Sequence, residues 1–281
     1  MTLLDGKKIK LEILKKLRDK VMKLDTTLGL AVIQVGNDSA SNVYLKNKNK
    51  MANDLGYKFE HIHFDDNTSD DEVLSKIDEL NNDDGIDGIL LQMPIPRHLN
   101  AKKLQNAITP FKDVDGLTDI NIGRLIHGVD SLVPCTPMGI IDLLNMYNVS
   151  IEGKCAVIVG RSDLVGKPLS ALMTNNNATV ILCHSKTKNL GYYTRQADIL
   201  VVAVGKPKFI TKDMVKEGST IIDVGINRTS DGLVGDVDFE GVKDLVEFIT
   251  PVPGGVGQMT VAELGNNVYK AHILRKKSNI R

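Results

Sequence analysis

The sequence predicts an α/β protein in which two α/β domains flank a cleft. Short apolar segments rich in β-branched residues alternate with longer segments whose apolar residues recur every three to four positions, which is typical of strands and helices in turn. The short segments of the second half are mainly apolar, as expected of strands buried on both faces of a parallel sheet. The length of 281 residues suits one large domain or two ordinary ones.

A leading helix and a β-α-β-α-β pattern are predicted for the first third of the chain. Ile9, Leu17 and Val21 recur at helical spacing, and Ser69 with Glu72 forms the capping box of a later helix. The predicted elements are a helix over 9–24, a strand over 28–35, a helix over 38–56, a strand over 58–64, a helix that follows 68–72, and a strand over 88–91. Residues 98–135 show no comparably regular pattern.

A cleaner alternation is predicted for the second half. Thr136 followed by Pro137 is typical of a helix start, and we place the domain crossing near it. Strands are predicted over 155–159, 179–183, 199–204 and 220–224, with helices over 165–174 and after Lys212. Thr260 and Glu263 have the spacing of a capping box for a last helix.

Composition argues against several classes of protein. Lys plus Arg and Asp plus Glu number 35 each, so the formal net charge is zero, whereas nucleic-acid-binding proteins carry a basic excess or stripe. The strongest apolar run, over 199–204, is far too short for a membrane span, and the N-terminus lacks a signal-peptide pattern. The three cysteines form neither a disulfide framework nor a zinc motif. We expect a soluble protein of a reducing compartment, without membrane or nucleic-acid partners.

A candidate nucleotide site follows the predicted strand over 155–159. The strand runs into Gly160-Arg161-Ser162, where glycine permits a tight turn and the next helix offers free backbone N–H groups to a phosphate. The second glycine of the G-x-G-x-x-G fingerprint is missing, so an ordinary strand-to-helix turn explains the loop equally well. The surrounding parallel-type strands favour a Rossmann-like domain.

The end of the following strand bears on the choice of cofactor. An acid there would hold the ribose hydroxyl of NAD, whereas a basic residue suits the 2′-phosphate of NADP. The strand ends in Cys183-His184-Ser185-Lys186, with no acid. Arg161, Ser185 and Lys186 therefore favour NADP; the alternative is that they are solvated surface residues.

Tyr44 and Lys48 are four residues apart on a predicted helix and so share one face. That face continues through Met51, Ala52 and Leu55, which places the lysine on an apolar stripe. A lysine drawn into a desolvated site has a lowered pKa and can exchange protons near neutral pH. The commoner alternative is a lysine at the edge of the stripe whose amine reaches solvent.

Three further segments are candidates for a site, although each could be a simple turn. Gln92 follows a predicted strand at its carboxyl end, where α/β sites form. Asp113 and Asp115 lie together in a loop, and the segment 251–257 is stiff, then rich in glycine. His61 and His63 share a strand face, but no third ligand completes a metal set, which favours an edge strand and no metal.

Taken together, these segments resemble the bifunctional methylenetetrahydrofolate dehydrogenase/cyclohydrolase (FolD) family. The resemblance rests on motifs that follow the family's order over nearly the whole chain. The motifs are 35–41 with Tyr44 and Lys48, 91–94, 112–116, 134–137, 159–162 with Val165, Gly166 and Pro168, 183–187, 223–227 and 250–257. Each motif alone is weak, whereas the ordered set is highly specific.

The resemblance implies NADP-dependent oxidation of 5,10-methylenetetrahydrofolate and hydrolysis of the methenyl product to 10-formyltetrahydrofolate. It implies a folate-binding catalytic domain over 1–137, with the helix 260–281 packing back on it. It implies a Rossmann-like NADP-binding domain over 138–259, and a cytosolic homodimer whose substrates are tetrahydrofolate derivatives.

The resemblance also implies roles for individual residues. Lys48 would be the catalytic lysine, Gln92 would tune it, Tyr44 would stack on the folate, and Asp115 would hold the pterin. The cofactor residues would be Gly160, Arg161, Ser162, Ser185 and Ile226. The other substrate-binding residues would be Leu91, Met93, Pro251, Val252, Pro253, Gly254 and Gly255, the last five as a loop closing over the folate.

Two positions depart from the family pattern, because Ser39 and Gln258 stand where proline is common. Neither would carry chemistry. The rival interpretations are a monofunctional, NAD-linked dehydrogenase of the same family and a catalytically silent nucleotide sensor. A short-chain dehydrogenase also uses Tyr-x-x-x-Lys, but there the motif follows the nucleotide site, whereas Tyr44 and Lys48 precede Gly160.

Overall fold

The computed structural model describes residues 1–230 and 232–278, apart from the side chains of residues 39–43 and 278. The predicted helix end at 279–281 and the side chain of Ser39 therefore lie outside the described residues. The chain divides into two α/β units, each built on its own parallel sheet. The three-stranded unit comprises Glu12–Cys135 and the segment from Val261 onward, and the six-stranded unit comprises Met1–Leu11 and Thr136–Thr260.

The three-stranded unit has a sheet with a helix after each of its first two strands. The strands β2, β3 and β4 follow the order β3-β2-β4 and are all parallel. The helices and strands of the first part of the chain are β1 (Thr2–Leu3), α1 (Gly6–Val21), β2 (Gly29–Val35), α2 (Ser39–Leu55), β3 (Lys58–Phe64), α3 (Asp70–Asn82), β4 (Gly88–Leu91), α4 (Ala101–Ala107) and α5 (Asp119–Ile126). The predicted capping box is present, since Ser69 Oγ accepts a hydrogen bond from the Glu72 N–H and the Glu72 carboxylate accepts one from the Ser69 N–H.

The main sheet of the six-stranded unit has the order β1-β11-β8-β7-β5-β6, and all strands of that sheet are parallel. Its elements, with the last helix, are α6 (Cys135–Met146), β5 (Cys155–Val159), α7 (Gly166–Asn175), β6 (Thr179–Cys183), α8 (Leu190–Thr194), β7 (Ile199–Val202), β8 (Thr220–Asp223), the hairpin β9 (Asn227–Thr229) and β10 (Gly232–Val234), α9 (Phe239–Val242), β11 (Phe248–Ile249) and α10 (Val256–Ser278). Strands β6 and β7 lie on opposite sides of β5, so the strand order reverses at β5. In doubly wound sheets, ligands bind outside the carboxyl ends of the strands at such a reversal.

The later turns of α10 pack within the three-stranded unit. Leu264, Val268 and Ala271 join a buried cluster with residues of α1, α2 and the sheet. Gly265 makes this packing close, because a Cβ atom there would lie 2.9–3.2 Å from side-chain atoms of Leu55, Met51 and Leu17. No helix among the described residues combines the length and apolarity needed to cross a bilayer.

Several predicted boundaries were wrong. Residues 1–11 belong to the six-stranded unit, not to a domain over 1–137, because β1 pairs with β11. The helix predicted after Lys212 is a single turn of 3₁₀-helix, Lys212–Met214. Residues 98–135, which lack a regular pattern, contain α4 and α5.

The two predicted capping sites at the start of α6 and α10 lie inside those helices. The helix α6 begins one residue before Thr136, and α10 begins four residues before Thr260. The hydroxyls of Thr136 and Thr260 instead lie 2.9 Å apart in a hydrogen bond with each other. Tertiary contact has replaced the local cap that each sequence pattern suggested.

Candidate active site

The predicted pair of Lys48 and Gln92 is in direct contact. The helix α2 places Lys48 one turn after Tyr44 and half-buries it above Met51 and Ala52, which are fully buried. Lys48 Nζ donates a hydrogen bond of 2.7 Å to Gln92 Oε1. The tyrosine ring is 44% exposed and so remains available to a ligand.

The orientation of the Gln92 side chain is set by its own neighbours. Gln92 follows β4, and its main-chain N–H donates to the carbonyl of Ile33 at 2.8 Å. Its side-chain Nε2 donates to the carbonyl of Met93 at 2.7 Å, which leaves Oε1 to accept from the lysine. Leu91, just before it, is buried, whereas Met93 is 39% exposed. The amide therefore presents an acceptor to Lys48 and cannot exchange its two ends without losing both bonds.

Asp115 is the electrostatic partner of this lysine. Burial lowers the pKa of Lys48, and the nearby Asp115 and Cys135 oppose that shift. Burial likewise raises the pKa of Asp115, and the positive charge of Lys48 opposes that shift. Both groups therefore hold their charges less firmly than they would in water, so Lys48 gives up its proton more readily than a lysine in water does.

Asp113, the other carboxylate of this loop, has a structural role. It is fully buried and accepts hydrogen bonds from the main-chain N–H groups of Leu117 and Thr118 and from the side-chain amides of Gln105 and Asn121. The residue pattern did not separate the two aspartates, and only the family resemblance singled out Asp115. Asp113 organises the loop and the start of α5, which leaves Asp115 to face Lys48.

Cys135 and Asn267 belong to the same neighbourhood, and the sequence assigned neither of them a role. Cys135 is buried, its thiol donates to the carbonyl of Val114 at 3.4 Å, and burial raises its pKa well above the usual range, so it is a neutral thiol. Asn267 Nδ2 donates to the carbonyls of Val114 at 2.9 Å and Val133 at 2.8 Å. The asparagine thereby braces the segment that carries Asp115, from a position 153 residues away in the chain.

The predicted nucleotide loop has the close backbone packing of a phosphate-binding turn. Gly160 follows β5 with φ of +125°, and a Cβ atom there would lie 2.2 Å from the carbonyl oxygen of Ala203. A Cβ atom on Gly166 would lie 1.9 Å from the carbonyl oxygen of Gly160. The helix α7 starts at Gly166 without a side-chain cap. The Lys167 N–H donates to the carbonyl of Ser162 at 3.1 Å and Pro168 has no N–H, so the Gly166 N–H is the donor that the start of this helix offers to an anion.

The charge pattern around this turn fits a phosphate on the ribose. The Gly160 N–H donates to the carbonyl of Cys183, which brings the turn beside the end of β6. Arg161, Ser162, Ser185 and Lys186 are all exposed, and no acid follows β6 at these positions. Asp163 is the acid that follows Ser162, and it pairs with Lys167.

The segment Pro251-Val252-Pro253-Gly254-Gly255 links β11 to α10 in the six-stranded unit. The carbonyl of Gly254 accepts a hydrogen bond of 3.2 Å from the Lys7 N–H. A Cβ atom on Gly6 would lie 2.1 Å from the carbonyl oxygen of Gly255, so the lack of a side chain at Gly6 permits this close approach. Ile226 is 47% exposed, and its Cδ1 lies 3.2 Å from where a Cβ atom of Gly257 would be.

The two histidines of β3 behave as the edge-strand interpretation predicts. His61 Nε2 lies 3.0 Å from Gln34 Oε1, and His63 Nε2 lies 3.1 Å from the carbonyl oxygen of Gly36. The strand lies at the edge of its sheet. Across the described parts of the chain, His, Cys, Asp and Glu nowhere form a group of three that could hold a metal ion.

Comparison with known proteins relates both units to one family. Residues 4–115 match the model described as tetrahydrofolate dehydrogenase/cyclohydrolase, catalytic domain, and residues 134–276 match the NAD(P)-binding domain of the same name. The bifunctional protein FolD of Halothermothrix orenii is 49% identical over 274 residues, which cover 96% of this chain and 97% of the relative.

Two solved structures are similar over nearly their full length. The crystal structure of the bifunctional FolD methylenetetrahydrofolate dehydrogenase/cyclohydrolase of Campylobacter jejuni has a TM-score of 0.96 at 45% identity, covering 98% of this chain and 99% of that one. The Trypanosoma brucei N5,N10-methylenetetrahydrofolate dehydrogenase-cyclohydrolase, complexed with NADP cofactor and an inhibitor, has a TM-score of 0.93 at 31% identity, covering 100% and 99%.

We predict that Gly160→Ala destabilises the six-stranded unit. Its methyl group would meet the Ala203 carbonyl oxygen at a left-handed φ, so we expect a loss of about 2–4 kcal/mol in the free energy of unfolding, measured in urea. Gly153→Ala is the control, because Gly153 has φ of +73° and nothing within 4 Å of its Cβ position. It should lose only about 1–2 kcal/mol, the cost of the conformation alone. Equal losses would show that the close approach to Ala203 is unimportant.

Proposed function

The chain belongs to the tetrahydrofolate dehydrogenase/cyclohydrolase family, and from this premise we propose which of its residues carry each of its two reactions. It is a bifunctional enzyme of folate one-carbon metabolism. It oxidises 5,10-methylenetetrahydrofolate to 5,10-methenyltetrahydrofolate with NADP, and it hydrolyses the methenyl compound to 10-formyltetrahydrofolate.

The bond between Lys48 Nζ and Gln92 Oε1 carries the proposal that Lys48 is the proton acceptor of the hydrolysis. A neutral amine has two N–H groups and one lone pair. If one N–H donates to Gln92, the lone pair is left for a water molecule. As the water oxygen bonds to the methenyl carbon, one of its protons passes to Nζ. As the bond from that carbon to N5 breaks and the formyl C=O forms, Nζ returns this proton to N5, and the remaining hydroxyl proton is released to solvent, so that one proton is released overall.

Burial of Lys48 suits the charge of the substrate. The methenyl group is a cation, and an ammonium held beside it would repel it. Because burial lowers the pKa of Lys48, the neutral amine needed beside this cation is accessible. We assign the carboxylate of Asp115 to the pterin, because it can accept hydrogen bonds from the N–H groups of the pterin ring. We assign the exposed side chain of Tyr44 to stacking on the folate.

The proposed substrate contacts also include the residues beside Gln92 and the segment 251–255. Leu91 and Met93 flank Gln92, and the exposed thioether of Met93 offers an adaptable apolar contact to the folate. We also assign Pro251 to Gly255 to substrate binding. Their glycine-rich backbone supports this assignment, because it permits close approach to a ligand.

The residues of the six-stranded unit fit NADP. When bound, NADP supplies the carbon that accepts the hydride from the methylene group. Gly160 and Ser162 lie at the turn before α7, and the Gly166 N–H at the start of that helix would donate to the pyrophosphate. Arg161, Ser185 and Lys186 would bind the 2′-phosphate, and the exposed side chain of Ile226 would pack against the cofactor.

The proposal includes a cytoplasmic homodimer. All three cysteines are free thiols, which suits a reducing compartment. The edge position of β3 supports association, because an edge strand presents unpaired main-chain groups that another chain can bind.

We predict that Lys48→Met abolishes the cyclohydrolase and spares part of the dehydrogenase. A general base of this kind contributes about 10²–10⁴-fold to a rate, so hydrolysis of methenyltetrahydrofolate should fall by that factor. The oxidation transfers a hydride and does not need that base. Lys50→Met is the matched control, because Lys50 lies exposed on the same helix and should leave both activities unchanged. Retained hydrolysis in Lys48→Met would refute the assignment.

We also predict that Arg161→Ala weakens the preference for NADP over NAD. Loss of a charged hydrogen bond to the 2′-phosphate should raise the KM for NADP by about 10–100-fold and leave that for NAD unchanged. Lys167→Ala removes an equal charge from the start of α7, just after the loop, but Lys167 pairs with Asp163, so the KM of this variant for NADP should change little. Equal effects of the two substitutions would indicate a general electrostatic effect, with no specific phosphate contact at Arg161.

A further inference from the structure

Two buried aspartates at the carboxyl end of the six-stranded sheet take no part in the roles assigned above. Asp223 is the last residue of β8, and Asp236 lies just after β10. Both side chains are almost entirely inaccessible to solvent. Burying a carboxylate lowers the stability of the fold unless hydrogen-bond donors surround it. The donors around these two carboxylates therefore indicate their role.

Asp236 fills a nest of main-chain N–H groups. Its Oδ2 accepts from the N–H groups of Val204 at 2.7 Å and Gly205 at 2.9 Å, and its Oδ1 accepts from that of Lys206 at 2.8 Å. The side chain of Asn227 donates a fourth bond to Oδ1, at 2.9 Å. Consecutive N–H groups that converge in this way are an anion site, and here the anion belongs to the protein.

Asp223 holds the neighbouring turns. Its Oδ1 accepts from the N–H groups of Gly225 at 3.0 Å and Asp236 at 2.9 Å, and its Oδ2 accepts from that of Val237 at 2.9 Å. Its main-chain N–H donates to the hydroxyl of Thr250, the residue before the Pro251–Gly255 loop, at 2.7 Å. The two aspartates are therefore linked through the backbone of Asp236 itself.

Two glycines make room for the pair. A Cβ atom on Gly225 would lie 2.2 Å from the carboxylate carbon of Asp236, and one on Gly235 would lie 1.8 Å from Oδ2 of Asp223. Each aspartate thus packs directly on the glycine beside the other. Such packing ties the turns at 204–206 and 225–227 together with little freedom.

These turns border the candidate nucleotide site. The residue before Val204 is Ala203, whose carbonyl oxygen meets Gly160 of the phosphate-binding turn. This contact lies between the ends of β5 and β7, where the strand order reverses. The other turn carries the exposed Ile226 between Gly225 and Asn227.

We propose that Asp223 and Asp236 are positioning residues for NADP, holding the 204–206 and 225–227 turns in place for the cofactor. Asp236 occupies the N–H groups of residues 204–206, so the pyrophosphate goes to the start of α7, and these turns offer the cofactor side chains and carbonyl oxygens only. The inference rests on the proposed placement of NADP in this unit. Burial raises the pKa of Asp223 to about 6, so its carboxylate is still ionised, and a full acceptor, in most molecules at neutral pH.

Asp236→Asn in the full chain tests the proposal. The substitution keeps the size of the side chain but turns one acceptor into a donor that faces N–H groups. The Kd and KM for NADP should rise at least about tenfold, or about 1.4 kcal/mol, while hydrolysis of methenyltetrahydrofolate without NADP stays within about twofold of the parent rate. A purely structural role would lower both activities together.

Asp198→Asn is the matched control. Asp198 belongs to the same unit and binds the Cys155 N–H at 2.8 Å and Lys216 Nζ at 2.6 Å, but it lies before β7, at the amino end of the sheet. It should lower stability without a selective effect on NADP. Parental affinity for NADP in folded Asp236→Asn, or an equal loss in Asp198→Asn, would overturn the proposal. If the enzyme without any substitution showed no NADP-dependent oxidation, that result would refute the proposed function itself.

Amide hydrogen exchange on the unchanged enzyme gives a second test that does not depend on the variant folding. The N–H groups of residues 204–206 should exchange slowly without NADP, because Asp236 already binds them. Adding NADP should slow them no more than it slows the Cys155 N–H, which Asp198 binds. Fast exchange that NADP selectively suppresses would show that the cofactor, and not Asp236, binds these groups.

Discussion

The hydrogen bond from Lys48 to Gln92 is the interaction on which the hydrolytic site depends. A lysine removed from water would titrate more easily, but without a partner its flexible side chain would place the amine poorly. Gln92 supplies the partner, and its own amide is oriented by the carbonyl of Met93. Helix α2 and strand β4 deliver the two residues from separate elements of one sheet-based unit, so the geometry of the base is a property of the fold.

The two units differ in how they stabilise or destabilise charged groups. In the three-stranded unit, burial weakens the charges of Lys48 and Asp115, which suits proton exchange beside a cationic substrate. In the six-stranded unit, main-chain N–H groups bind anions. Asp236 satisfies those of the turn after β7, whereas those at the start of α7 lack a side-chain cap. A chain with zero formal net charge thus builds two strongly polar sites from local arrangement alone.

Much of this arrangement was predictable from sequence, because it depends on local periodicity. The spacing of Met51 and Leu55 predicted that Lys48 lies on the buried face of α2. The end of β4 predicted that Gln92 lies at the carboxyl end of a sheet strand. The roles of Asp113 and Asn267 were not predictable, because their partners lie on other elements. The placement of residues 1–11 was missed for a similar reason, since β1 has only two residues and is defined by pairing with β11.

The central claim is that Lys48 is held by the fold in a state from which it readily loses its proton. Titration of the enzyme with ¹³C-labelled lysine, followed by NMR and assigned through loss of one signal in Lys48→Met, measures this directly. We predict that the Lys48 signal titrates clearly below the ordinary lysine value of about 10.4. Titration of Lys48 at or above the ordinary value would contradict the account.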